Sequence, residues 1–385
     1  MKFPSRWAAS AAFVLLLGAW GVPRPSAAQE EGPPGRSPAE DRFRKFDRNG
    51  DGALTSEEVG NAELFRRLDR DGNGRVTREE ALAAVSAAGG AAPHPTFENV
   101  SYGPHARNVL DFWKAASGAP APVVVFIHGG GFVGGDKSQA RRSSYPAACL
   151  SAGVSFAAIN YRFLAHAPVQ DILRDAARAI QFIRHKASEW NVDKRRIAAY
   201  GGSAGAGTSL WLASHDDLAD PSSGDPVLRE SSRLAAAGCQ ATQATYDLSR
   251  WEAFLGPFKQ EWLNGPNEIA EFYHFKVKAD LETPEGKRVL ADCDMLALLT
   301  KDDPPVYVFN NQPDGPPRDR GHMLHHPNHA REVKKRCDEA GVECVMAAPA
   351  GGPGRPEKIL DFLFRCLKVR PPAGGAKPAP GEGDR

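Results

Sequence analysis

An α/β fold with a doubly wound, mostly parallel sheet, preceded by a small α-helical module, is what this 385-residue chain predicts. Three observations carry that expectation. Apolar runs alternate with amphipathic stretches from about residue 97 to 370. Two of those runs end in glycine-rich turns, HGGGF at 128–132 and GGSAGAG at 201–207. Ahead of them one acidic pattern occurs twice, DRNGDGALTSEE from Asp47 and DRDGNGRVTREE from Asp69, 22 residues apart.

The chain opens with Lys2 and Arg6, then an apolar stretch from Trp7 to Trp20 that is too short to cross a bilayer comfortably. Pro23 and Pro25 break it, and Ser26-Ala27-Ala28 offers small residues to a signal peptidase. Residues 1–28 are therefore expected to be a signal peptide, with an uncleaved anchor as the alternative. A secreted or periplasmic protein without stable membrane insertion follows. Residues 29–38 read as a linker, 39–86 as a compact charged module, 87–96 as a second linker and 97–370 as the large domain. The tail 371–385, PPAGGAKPAPGEGDR, lacks the apolar residues to bury a core and is expected to be disordered. A net charge of +1 excludes a global basic field for nucleic acid. Six cysteines without a CxxC pair argue against a zinc site and leave disulfide pairing open.

Each acidic repeat fits a twelve-residue calcium loop. Asp47, Asn49 and Asp51 take positions 1, 3 and 5, Gly52 makes the turn, Ala53 offers its carbonyl, Thr55 stands at position 9 and Glu58 closes bidentately. The second set is Asp69, Asp71, Asn73, Gly74, Arg75, Thr77 and Glu80. A hard cation wants six to eight oxygens, and alternate residues of a tight loop aim theirs inward. Leu54 and Val76 stand at equivalent positions, where paired loops bury them against each other. Two Ca2+ ions are the expected cofactors. Only Val59 to Leu68 separate the loops, too few for a full exit and a full entry helix. The pair thus resembles the shortened EF-hand modules of secreted bacterial proteins, including dockerins. That resemblance implies a structural or docking role, with a protein or cell-surface partner.

In the large domain, Ala121 to His128 is a valine-rich run that reads as a strand buried on both faces. Val154 to Asn160 reads likewise and leads into Asn160-Tyr161-Arg162. Asp171 to Trp190 has helical periodicity, with Ile172, Ala176, Ile180 and Ile183 on one face. Arg196 to Tyr200 is a short strand, the GGSAGAG turn follows, and Thr208 to Ser214 continues as a helix. Strand, G-x-S-x-G and helix in that order form the context of a nucleophile elbow. By itself HGGG is a glycine-rich turn, and GGSAGAG alone also reads as a phosphate-cradling loop.

HGGG at 128–131, NYR at 160–162 and GGSAG at 201–205 together resemble the α/β-hydrolase fold, specifically the hormone-sensitive-lipase-like esterases, over residues 97–368. The resemblance implies that Ser203 attacks an ester carbonyl and that the N–H groups of Gly130, Gly131 and Ala204 form an oxyanion hole. Members usually carry Asp where this chain has Gly202.

The resemblance also implies an acid after the late strand Pro305 to Asn310, and Asp314 stands there. Asp314 alternatively reads as the middle of a Pro-Asp-Gly turn, and Asp294, Asp302 and Asp303 are rivals. A histidine is expected just after the last strand, Val342 to Ala347. The chain instead has Ala350 to Pro356, and no histidine follows His329. A cluster of His322, His325, His326 and His329 lies earlier, before and within a helix that Pro327 opens and that runs to about Ala340. His325 or His326 is the expected substitute base, with Asp314 as its acid. Metal binding, substrate binding and surface helix-start histidines remain open for the cluster. The leading expectation is a calcium-binding serine ester hydrolase acting on a small ester through an acyl-serine intermediate. The alternatives are a non-catalytic hydrolase-fold binding protein and a calcium-regulated enzyme. Trp251 to Phe275 is aromatic and reads as pocket or core.

Overall fold

The computed structural model describes residues 93–347 and 357–369, and, nearer the N-terminus, residues 46–60 and 73–78 with Phe43, Phe65, Leu68, Asp69, Glu80 and Ala81. The expected signal peptide, the linker at 29–38, residues 87–92 of the second linker, Asp71 and the tail lie outside the described residues. The chain divides into two compact units, Met1–Gly89 and Gly90–Arg385.

In the smaller unit, β1 (Ala53–Leu54) pairs antiparallel with β2 (Val76–Thr77), placing Leu54 opposite Val76. Both side chains are buried with Phe43, Phe65, Leu68 and Ala81. The two acidic loops are thus joined back to back by the residues expected to join them. In the last third of the first loop, Thr55 and Glu58 form a capping box at the start of α1 (Ser56–Val59), and left-handed Gly60 ends that helix after one turn.

The larger unit holds an eight-stranded sheet: β3 (Phe97–Ser101), β4 (Val109–Trp113), β5 (Ala121–Ile127), β6 (Ser155–Ile159), β7 (Val192–Gly202), β8 (Ala236–Gln240), β9 (Val306–Phe309) and β10 (Cys344–Met346). The spatial order is β10-β9-β8-β7-β5-β6-β4-β3. From β6 to β10 the neighbours are parallel, and β3 and β4 are attached antiparallel at one edge. The helices used below are α2 (Tyr145–Ser151), α3 (Val169–His185), α4 (Ala204–Ser214), α5 (Pro284–Cys293), α6 (Arg320–Leu324), α7 (Pro327–Ala340) and α8 (Ile359–Cys366).

Alternation along β5 shows why the sheet is covered on both sides. Val123, Val125 and Ile127 belong to one core, with Ile172 and Ile180 of α3 and Leu210 of α4. Val124 faces the other, with Cys149 of α2 and Phe362 of α8. Each such buried aliphatic side chain contributes roughly 1.5–3 kcal/mol over leaving it exposed. The expected strands and helices are present with shifted ends. The helix expected from Asp171 to Trp190 divides, since α3 stops at His185 and left-handed Asn191 ends a separate turn at Ala187–Trp190. All six cysteines are free. Among the described residues no helix is long and apolar enough to cross a membrane.

Candidate active site

Strand β7 runs straight into Ser203, whose backbone (φ 54°, ψ −121°) lies in a region that L-residues avoid, and α4 starts at the next residue. Such strain persists only where the surroundings over-determine it. Here Gly201 and Gly205 do so: a side chain on either would run into the carbonyl of Ile127, and one on Gly205 would also meet the His128 carbonyl. The elbow can therefore seat on the end of β5. The Ser203 N–H donates to Gln240 O at 2.9 Å, fixing the elbow to the end of β8 as well.

The turn after β5 approaches from the other side. Gly130 and Gly131 have φ of 119° and 61°, and the N–H groups of Val133 and Gly134 close the turn on Gly130 O. A Cβ on Gly129 would stand 3.5 Å from Ser203 Cβ, so this turn flanks the serine. Among the described residues, the N–H groups of Gly130, Gly131 and Ala204 have no hydrogen-bond acceptor. For Ala204 the cause is general, since the first N–H groups of a helix have no partner within it. His128 braces the turn: its Nδ1 bonds to Gly129 O at 2.8 Å, its ring stacks on Tyr161 at 4.2 Å, and the Tyr161 hydroxyl donates to its carbonyl at 2.6 Å. Burial pushes the His128 pKa down to about 4, so the ring is neutral.

His325 supplies the remaining contact. It lies in the two-residue link between α6 and α7, and its Nε2 is 2.9 Å from Ser203 Oγ. Burial lowers its pKa, which keeps the ring neutral and able to accept a proton at neutral pH.

The other members of the cluster face elsewhere. His326 caps α7, accepting the Asn328 N–H at Nδ1 and donating from Nε2 to Gly315 O at 2.7 Å. His322 bonds through Nε2 to Pro313 O at 2.8 Å and accepts the Arg318 N–H at Nδ1. His329 is fully buried between the Ala244 N–H and Met323 O. Three of the four imidazoles therefore brace loops. Among the described residues no group of three or more His, Cys, Asp or Glu side chains is placed to hold a metal ion.

The expected acid is not brought to this histidine. Asp314 is 68% exposed and pairs with Arg331 at 2.6 Å. The loop from 313 to 318 turns outward because His322 and His326 hold its carbonyls, carrying Asp314 to the surface. Asp294 bonds Thr245 and Arg250, Asp303 bonds Arg233, and Asp302 bonds Thr300. No described carboxylate hydrogen-bonds His325. Residues 348–356, outside the described residues, contain neither Asp nor Glu nor His.

In the smaller unit the carboxylates of the first loop bond to the loop's own backbone and do not gather at one point. Glu58 folds back to accept the N–H groups of Arg48 and Thr55 at 3.0 and 2.9 Å. Asp47 accepts the Gly52 N–H through Oδ2, while its Oδ1 is buried without a partner. A buried carboxylate oxygen left without a hydrogen-bond partner is one that a cation could satisfy. Asp51 accepts the Ala53 N–H and an ion pair from Arg75 of the other loop at 2.5 Å, and these bonds lower its pKa. In the second loop Asp69 accepts from Asn73 and Gly74, and Glu80 from Thr77.

Comparison with known proteins agrees with this division. Residues 110–236 match the BD-FAE family model, and residues 39–62 and 61–80 match the EF hand model. The chain thus joins a segment similar to EF hands to one similar to the BD-FAE family. A probable isoprenylcysteine alpha-carbonyl methylesterase of Arabidopsis thaliana is 30% identical over 140 residues, which are 36% of this chain and 29% of that protein. The chain thus spans less than a third of that relative's length. Among solved structures, a truncated carbohydrate esterase from gut microbiota superposes with a TM-score of 0.56 at 18% identity, covering 72% of this chain and 98% of its own. A bifunctional GH43-CE protein of Bacteroides eggerthii gives 0.54 at 20% identity, over 70% of this chain and 38% of its own. At such identities these structures establish the α/β-hydrolase fold.

Two groups escaped the sequence reading. One is β8, AAGCQ, whose small residues give no strand signal. The other is the pair of buried amide side chains beside His325, those of Asn310 and Gln243. Asn310 closes an otherwise apolar strand run, and that was the available clue.

Proposed function

We propose that the larger unit hydrolyses a carboxylic ester through an acyl-Ser203 intermediate, with His325 as general base. The observation that carries this reading is the 2.9 Å contact between Ser203 Oγ and His325 Nε2. In the acylation step Nε2 takes the hydroxyl proton while Oγ bonds to the ester carbonyl carbon. The carbonyl oxygen becomes an oxyanion facing the N–H groups of Gly130, Gly131 and Ala204, which need no reorganisation to receive it. The imidazolium then gives its proton to the departing alkoxide. Water repeats the sequence on the acyl-enzyme and regenerates Ser203.

Supporting the smaller unit's role is the oxygen set of Asp47, Asn49, Asp51, Ala53, Thr55 and Glu58, and its counterpart in the second loop. These residues would hold two Ca2+ ions, which supply a structural clamp between the paired loops. The basic, apolar and small-residue order of the first 28 residues supports export, hence a secreted or periplasmic site of action. Among small esters, an esterified carbohydrate is the class to assay first, because a carbohydrate esterase shares the fold over almost its whole length.

The test is turnover of short-chain p-nitrophenyl esters and of acetylated oligosaccharides by wild type, Ser203→Ala and His325→Ala. Loss of nearly all turnover in both variants is expected, with a residual rate of about 10³-fold over water from binding and the oxyanion hole. A serine-directed phosphonate should label Ser203. No turnover and no labelling in the wild type would return the chain to the non-catalytic binding reading.

A further inference from the structure

Among the described residues no carboxylate bonds the other ring nitrogen of His325, so its position is held in another way. Four consecutive carbonyls around it, those of Met323, Leu324, His325 and His326, each accept a hydrogen bond from a buried side chain. His329 Nε2 serves Met323 O at 3.1 Å, and Gln243 Nε2 serves Leu324 O at 2.7 Å. Asn310 Nδ2 serves His325 O at 3.3 Å and His326 O at 3.1 Å. All three donors are at most 5% exposed.

These donors share one anchor. Asn310, at the end of β9, accepts the Thr242 N–H at 3.0 Å and donates to Thr242 O at 2.9 Å. His329 accepts the Ala244 N–H at 3.1 Å, and Gln243 lies between Thr242 and Ala244. The segment Gln240–Ala244 also accepts the Ser203 N–H through Gln240 O. Nucleophile and histidine are therefore registered to the same five residues leaving β8.

Resting on the reading of Ser203 and His325 as nucleophile and base, we propose that Asn310, with Gln243, is a positioning residue. It holds the base through its backbone, the task that a carboxylate on the imidazole would perform through the ring. A buried amide is suited to this. Asn310 shares its two Nδ2 hydrogens among three carbonyls, those of Thr242, His325 and His326, and accepts an N–H at once, whereas Asp in the same place can only accept. Asp would set a carboxylate against three carbonyl oxygens and release the link that carries His325. A displacement of about 1 Å at a base can cost on the order of 10²-fold in rate.

The experiment compares wild type, Asn310→Asp, Gln243→Ala and His325→Ala. Ester turnover is measured per site titrated with a chromogenic phosphonate, alongside KM and the thermal transition. For Asn310→Asp, kcat per titrated site should fall about 10²-fold with KM within about 3-fold. For Gln243→Ala, which loses a single bond, a fall of about 10-fold is expected. A merely structural role would lower the titratable fraction and the Tm but leave kcat per titrated site at the wild-type value. That result in either variant would overturn the proposal. Should Asn310→Asp fail to fold, Gln243→Ala decides by the same per-site criterion. Wild-type turnover in His325→Ala would instead overturn the reading beneath it, whatever the other two variants do.

Discussion

At the scale of single residues, protonation decides most of what this site can do. Burial lowers the His325 pKa, and a base must be neutral to accept the Ser203 proton. Activity should therefore be full above an ordinary imidazole pKa of about 6.5 and fall only as pH drops through the lowered value. A kcat/KM profile whose acid limb lies above pH 7 would contradict this. Stability has the same sign for His329, whose pKa burial pushes down to about 3. The unfolded chain binds a proton there below about pH 6.5 while the folded one resists until about 3. The contribution is whole above 6.5 and is lost progressively between those two values. Urea midpoints taken from pH 7 to 4 should decline, and His329→Gln should flatten that decline at the expense of stability at pH 7. Asp314 gives the complementary case. Its carboxylate is exposed and paired with Arg331, an interaction of the surface kind that water and salt largely screen. Asp314→Asn should leave kcat within about 3-fold and the Tm nearly unchanged, whereas an orienting acid would cost about 10⁴-fold. A large kinetic loss in that variant would restore Asp314 to the mechanism.

Elements show why some of the fold was legible in the sequence and some was not. The runs APVVVFI and SFAAI were readable because a strand buried on both faces needs apolar residues at consecutive positions. Helix α7 was readable because Pro at its first turn and Gly at its end mark both boundaries. Strand β8 carries Ala, Ala, Gly and Cys instead, since its Gly238 lies where Ile359 of α8 packs and a side chain there would collide with it. Strand β3 is largely exposed at the edge of the sheet and so lacks an apolar pattern. The elbow and the glycine turn were legible for a related reason: close backbone approach demands glycine, and glycine is visible in a sequence. The base was only half legible. The sequence narrowed it to His325 or His326, and the structure separates them: His325 Nε2 meets Ser203 Oγ, whereas His326 is engaged by Gly315 O and the Asn328 N–H. The elbow itself makes a stability prediction. Gly205→Ala places a methyl against the carbonyls of Ile127 and His128, so the strand and helix must separate. Overpacking of this kind typically costs 1–3 kcal/mol. A variant with wild-type Tm and wild-type phosphonate labelling would show that the elbow does not seat on β5.

At the scale of the whole molecule, the two units answer to different physics. The larger one buries two extensive cores, one on each face of its sheet. Among its described residues the smaller one gathers Phe43, Leu54, Phe65, Leu68, Val76 and Ala81 into one core. A module of fewer than about 50 residues seldom stands alone, and a bound metal is one of the usual supplements. The carboxylates of its loops instead take backbone N–H groups and Arg75, bonds that a cation would compete for. Calcium should therefore bind the intact protein with an affinity on the order of 10⁻⁶ to 10⁻³ M and raise the stability of the smaller unit. Glu58→Gln and Glu80→Gln should each weaken one of two sites in calorimetry. Loss of both sites from either single substitution would show that the paired loops bind as one unit. Absence of any calcium heat at millimolar ion would remove the clamp altogether. The division of cores also predicts that residues 90–385 fold without the rest. That truncation should give one cooperative thermal transition and the same phosphonate labelling of Ser203 as the full chain. An insoluble product, or one that no longer labels, would place part of the larger unit's stability in the residues removed.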